Sequence, residues 1–134
     1  MKSPKQIAVE KAIRAKVSGV ARKIANLLLE DAEIQHLQEY ANVVSIKRLG
    51  FNDHGPVHMR TVALNALTMA QLMHRAGIPL SLEADDAGTF DDSQVALLLG
   101  GMLHDIGMSV GRADHEHAGV ELALPIMDRV LREV

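Results

Sequence analysis

A chain of 134 residues is the size of one ordinary domain and too short for two independent cores, so a single domain spanning 1–134 is expected. Apolar residues make up 48% of it, yet Tyr40, Phe51 and Phe90 are the whole aromatic complement; aliphatic packing of this kind favours helices over strands. A formal net charge of −3 excludes a global attraction to nucleic acid or anionic lipid, and the absence of cysteine excludes disulfides and thiolate metal sites.

In chain order, the opening MKSPKQIAVEKAIRAKV lacks the apolar run of a signal peptide, and no later stretch approaches the ~20 apolar residues of a membrane span. A cytoplasmic protein with no membrane contact is the expectation. Ser3 before Pro4 predicts a helix start near residue 4, with Ile7, Ala8, Ile13 and Val17 at roughly helical spacing. Gly19 separates this helix from a second around Val20–Leu29, and a third runs from about Asp31 to Lys47 with Ile34, Leu37, Ala41 and Val44 on one face. Turn formers concentrate in GFNDHGP, residues 50–56, after which Pro56 opens a long helix that ends at Gly77. Residues 83–92, EADDAGTFDD, carry five acids and no base and read as an exposed acidic loop. The apolar run VALLLGGMLHDIG is then a buried helix ended by Gly107 or Gly111. Asp114 caps a last helix, which Pro125 interrupts. Residues 1–49 thus supply leading helices and 50–134 the helices that carry chemistry.

The chemistry lies in histidine and carboxylate. Five of the seven histidines, His54, His58, His104, His115 and His117, fall in two stretches, whereas His36 and His74 read as surface residues. His58 shares a helical face with Val62, Ala66, Met69 and Met73 and so points inward. His104 and Asp105 end the most apolar helix, where an unpaired carboxylate would cost several kcal/mol. Gly100 and Gly101, one turn before them, leave a bare wall with space for an ion or a phosphate. Imidazole nitrogen plus carboxylate oxygen suits a divalent transition metal (Mn, Fe, Co, Ni or Zn), with Mg as a further option. A His-Asp dipeptide by itself is weak evidence in a chain with seven His and nine Asp; its combination with an inward His58 carries the reading.

The stretch NDHGPVHMRTV…LLLGGMLHDIGMSVGRADHEHAGVELALPIMDRVL resembles the HD superfamily of metal-dependent phosphohydrolases, more distantly the catalytic domain of ribonuclease Y, over about residues 50–134. The resemblance implies an all-α, HD-domain-like bundle of about five to seven helices. It makes His58 the first ligand histidine, His104 and Asp105 the name-giving pair that holds one or two metal ions, and His115 an additional ligand, with His117 as the weaker alternative. It also departs from the family in two places. The family's last aspartate follows the His-Asp pair by several dozen residues and Asp128 is too near to be it, so the chain is either a C-terminally truncated piece or has an incomplete site. Met108 stands where many two-metal members have Lys; Arg112 or Arg60 would face phosphate instead, unless they are solvated surface arginines. His54 is either a phosphate contact or a turn cap.

The function expected is hydrolysis of a nucleotide or other small phosphoester, with His104 and Asp105 as catalytic residues and a metal-activated water as nucleophile. The alternative is a catalytically incomplete scaffold that binds metal or nucleotide as a regulatory module. Nucleic acid would meet the basic residues Lys2, Lys5, Lys11, Arg14, Lys16, Arg22 and Lys23, although a solvated helix face accounts for them more simply. Association of the chain with itself follows if truncation exposes apolar surface.

Overall fold

The computed structural model describes residues 1–48 and 55–134, with backbone alone for Lys47 and Arg48. It is an all-α bundle without strands among the described residues. The α-helices are α1 (Pro4–Lys16), α2 (Gly19–Glu30), α3 (Ala32–Asn42), α4 (Pro56–Arg75), α5 (Ser81–Ala84), α6 (Phe90–Leu103) and α7 (His115–Leu131). A π-helical segment, Val43–Arg48, extends α3, and a 3-10 turn, Ile106–Ser109, follows α6. No helix among the described residues is long and apolar enough to cross a membrane.

Capping chemistry sets most of the boundaries. The Ser3 hydroxyl accepts from the Gln6 amide at 3.1 Å and the Asp31 carboxylate from the Ile34 amide at 3.0 Å, each satisfying a donor that the first turn leaves orphaned. Gly77, at φ +76°, stops α4 in the left-handed conformation that glycine adopts most cheaply. The acidic stretch is only partly a loop. Thr89 and Asp92 form a reciprocal capping box, so Asp91 and Asp92 belong to the first turn of α6, where carboxylates meet the positive end of the helix dipole.

Three further expectations are corrected. On α1 the buried stripe is Gln6, Glu10 and Ile13, continued by the buried Val17 just past its end, while Ile7 is 54% exposed. The polar head of that stripe is buried because Arg60 meets it there, as described below. Helix α6 stops at Leu103, well before Gly107 or Gly111, because its last carbonyls find other donors. Helix α7 runs through Pro125: one backbone hydrogen bond is forfeited, but burial of Gly119, Ala123, Ile126 and Val130 holds both halves in one helix.

Helix α4 packs antiparallel on α6 and also against α1, α2 lies on α6, and the 3-10 turn is wedged between α3 and α7. Buried residues of all these helices, among them Ile24, Leu28, Ile34, Met59, Leu67, Leu98, Met102, Ile106 and Ile126, form one hydrophobic cluster. Two close approaches decide where the helix ends meet. A Cβ on Gly101 would lie 2.7 Å from the Cα of Ala63, so α4 and α6 touch backbone to backbone. Likewise, a Cβ on Gly107 would overlap the His115 carbonyl and crowd the Gly119 amide, so the start of α7 sits directly on the 3-10 turn. Gly101 is therefore filled from behind by α4, in place of the bare wall expected of it, whereas a Cβ on Gly100 would meet nothing within 4 Å.

Candidate metal centre

The Gly101–Ala63 contact sets the register that brings His58, near the start of α4, to the end of α6. The Nε2 atoms of His58 and His104 each lie 3.2 Å from Asp105 Oδ2, and His115 Nε2 lies 3.5 Å from Asp105 Oδ1. One ligand atom from each of His58, His104 and Asp105 falls within 4.8 Å of the others. The two rings of His58 and His104 are tilted by 57° with centroids 5.3 Å apart. Asp105 is buried, while the His58 and His104 side chains keep 34% exposure, so the cluster opens to solvent on its histidine side.

Local chemistry explains both the helix end and the ring orientations. His104 Nδ1–H donates to the Gly101 carbonyl at 2.9 Å, and Gln38 Nε2–H donates to the Met102 carbonyl at 2.8 Å. These two acceptors would otherwise belong to the next turn of α6, so satisfying them by side chains lets the chain leave the helix at Asp105. His115 Nδ1–H in turn donates to the Arg112 carbonyl at 3.0 Å. A carbonyl only accepts, so in the neutral rings the protons of His104 and His115 stand on Nδ1, and both Nε2 lone pairs face Asp105.

Lone pairs converging on a carboxylate repel unless a positive species joins them. A proton is one such species: the Asp105 hydrogen bond raises the pKa of His104 above the usual histidine value, against the opposing effect of burial. A divalent cation is the other. Ligand bonds to such an ion are about 2.0–2.2 Å, which places neighbouring ligand atoms roughly 3–3.5 Å apart, and the separations to Asp105 match that spacing. The donor set of imidazole nitrogens and one carboxylate fits Mn, Fe, Co, Ni or Zn better than the oxygen-rich shells of Mg or Ca. Carbonyl-anchored Nδ1–H groups are also the usual outer support of histidine ligands.

The other expected site residues are placed as follows. His117, 78% exposed and 3.2 Å from Glu121, stands on the solvent face of α7 and does not join the cluster. Arg112 is exposed in the loop before α7, where its carbonyl anchors His115. Asp128 is 64% exposed and pairs with Arg132 at 3.0 Å. His54 lies outside the described residues.

Arg60 requires a correction, since it is neither solvated nor turned toward a phosphate. It is wholly buried, donating to Glu10 Oε1 at 2.8 Å, to Gln38 Oε1 at 2.5 Å, to Gln35 Oε1 at 3.1 Å and to the Pro56 carbonyl at 3.1 Å. A continuous chain of bonds thus leads from Glu10 through Arg60 and Gln38 to the Met102 carbonyl, two residues before His104. Sequence reasoning missed Glu10 and Gln38. Their signal was helical spacing: Gln38 lies on the Ile34–Ala41 stripe and Glu10 on that of Ile13 and Val17.

The face expected around His58 is also adjusted. Met69 and Met73 are 60% and 38% exposed, and the buried side of α4 is Met59, Arg60, Ala63, Leu67 and Ala70. His58 is half-buried at the edge of that side. Of the basic N-terminal residues, Lys2 pairs with Glu10 and Glu30, and Arg14 pairs with Glu30.

No family model matches the chain, and no solved structure matches it. A Methanocaldococcus jannaschii protein designated Uncharacterized protein MJ1020 is 37% identical over 117 residues, which are 87% of this chain and 45% of that protein. The chain therefore spans less than half the length of this relative.

Proposed function

We propose that the protein is a metal-dependent phosphohydrolase of the HD type, acting on a nucleotide or other small phosphoester. The observation that carries this reading is the convergence of His58, His104 and Asp105 with the His104 Nδ1 proton already spent on a backbone carbonyl. A divalent metal bound there supplies a Lewis acid for a phosphoryl oxygen and a water that ionises near neutral pH. His58 and His104, both part-exposed, and the buried Asp105 would be the side chains that hold it. His115 faces the second Asp105 oxygen, fixing the rotation of the carboxylate or adding a ligand of its own. The resemblance of the sequence to HD phosphohydrolases supports the choice of phosphoester over other substrates of a hydrolytic metal site.

A second reading is a regulatory scaffold that binds metal or nucleotide without turnover. It is favoured by one observation: among the described residues Asp105 is the single carboxylate in the cluster.

Elemental analysis of tag-free protein, beside His104→Ala/Asp105→Ala, tests the site. Near-stoichiometric transition metal that disappears in the double variant is the expected result; negligible metal in both refutes the proposal. Turnover of phosphoesters by the loaded wild type then separates the enzyme from the scaffold.

A further inference from the structure

A cavity of about 360 Å³ lies between α6 and α7 and reaches the edge of the metal centre. Leu99, Leu103, Val120 and Met127 line it, and His104 and Glu116 are its polar side chains. Small-ligand sites are typically about 300–1,000 Å³, so the space suits a compact organic group. Its opening toward α6 exists because residue 100 is glycine: nothing lies within 4 Å of the position a Cβ would take.

His104 belongs both to this cavity and to the ligand cluster. A phosphoryl group held at His58, His104 and Asp105 would have this cavity on its His104 side. Apart from the His104 imidazole, which the ligand cluster engages, the lining offers no side-chain amide, hydroxyl, guanidinium or aromatic ring. Beyond Glu116 at the rim and the His104 ring, a nucleobase would find no side-chain donor for its ring nitrogens and carbonyls and no ring to stack on, and burying unpaired polar atoms costs free energy. Glu116 keeps 78% exposure at the rim, where its charge disfavours a second phosphate.

We infer that the phosphoester recognised here carries an uncharged aliphatic substituent, seated in the α6–α7 cavity with its phosphate toward His104. This rests on the metal-centre reading proposed above.

The test is binding of inorganic phosphate, AMP and the n-alkyl phosphates from methyl to hexyl to metal-loaded protein, measured by calorimetry on wild type and Gly100→Leu with metal content determined in the same samples. Leucine at position 100 enters open space and improves helix propensity, so the variant keeps its fold. Each added methylene is expected to tighten wild-type binding by about fourfold, the equivalent of ~0.8 kcal/mol per buried CH₂, until the cavity is filled. Hexyl phosphate then binds more tightly than AMP, and Gly100→Leu loses the chain-length gain while keeping its metal and its affinity for inorganic phosphate. Affinity independent of chain length, AMP binding more tightly than hexyl phosphate, or an undiminished gain in Gly100→Leu, each with metal bound, overturns the inference alone. Wild type without metal removes the metal-centre reading, and this inference with it.

Discussion

Arg60→Met removes a guanidinium from the centre of the bundle while nearly preserving its volume. Four acceptors then lose a donor: Glu10 Oε1, Gln35 Oε1, Gln38 Oε1 and the Pro56 carbonyl. Breaking a buried ion pair by deleting one partner typically costs about 3–5 kcal/mol. Glu10 keeps Lys2 at 3.0 Å and Gln6 at 3.2 Å, which places this case at the lower end, about 3 kcal/mol. For a domain of this size that corresponds to a fall in Tm of roughly 8–12 °C. Thermal and urea unfolding of Arg60→Met, Glu10→Gln and the double variant measure it. The double variant should be less destabilised than the sum of the singles, because the charge left uncompensated in Arg60→Met is absent. Should Arg60→Met melt within ~2 °C of wild type and yet lose affinity for phosphate, the structural role assigned to Arg60 would be wrong and its role as a phosphate ligand restored.

Neighbouring glycines give opposite outcomes in the same melts. Gly101→Ala drives a methyl into Ala63 and should cost about 1–3 kcal/mol, with weaker metal binding as His58 is pushed from Asp105. Gly100→Ala meets nothing and should be neutral or stabilising by up to ~1 kcal/mol; equal effects would contradict the packing described. Metal titrations should separate the two histidines of α7: His115→Ala lowers affinity about 10–100-fold, whereas His117→Ala, which breaks a surface contact with Glu121, leaves it unchanged. Acid stability should depend on Glu10 and Asp31. Burial raises the pKa of each, but hydrogen bonds from Lys2, Gln6 and Arg60 to Glu10, and from Arg129 and the Ile34 amide to Asp31, outweigh it and leave both below the usual carboxylate values. The unfolded chain therefore binds protons first; stability is full above the ordinary carboxylate range near pH 4 and declines as pH falls through the depressed folded values. Urea midpoints from pH 6 to 3 should fall less steeply in Glu10→Gln than in wild type; parallel curves would exclude this role for Glu10.

Local chemistry made much of the scaffold legible in the sequence. Ser3-Pro4, Asp31, Pro56 and Gly77 mark helix ends through hydrogen bonds and backbone angles that need only their own neighbours. The grouping of His58 with His104 and Asp105 was legible too, because a histidine at the edge of an apolar helix face and a carboxylate ending an apolar helix both require partners. Tertiary structure alone decided the rest. Whether Gly101 is empty depends on the backbone of α4 lying against it, and whether Arg60 faces solvent depends on Glu10, 50 residues away, reaching it from α1. The end of α6 at Leu103 follows from Gln38, on another helix, taking the Met102 carbonyl. Periodicity reports which side of a helix is apolar, but the fate of a polar group on that side is fixed by what the neighbouring helix brings to it, and that depends on contacts between residues distant in the chain.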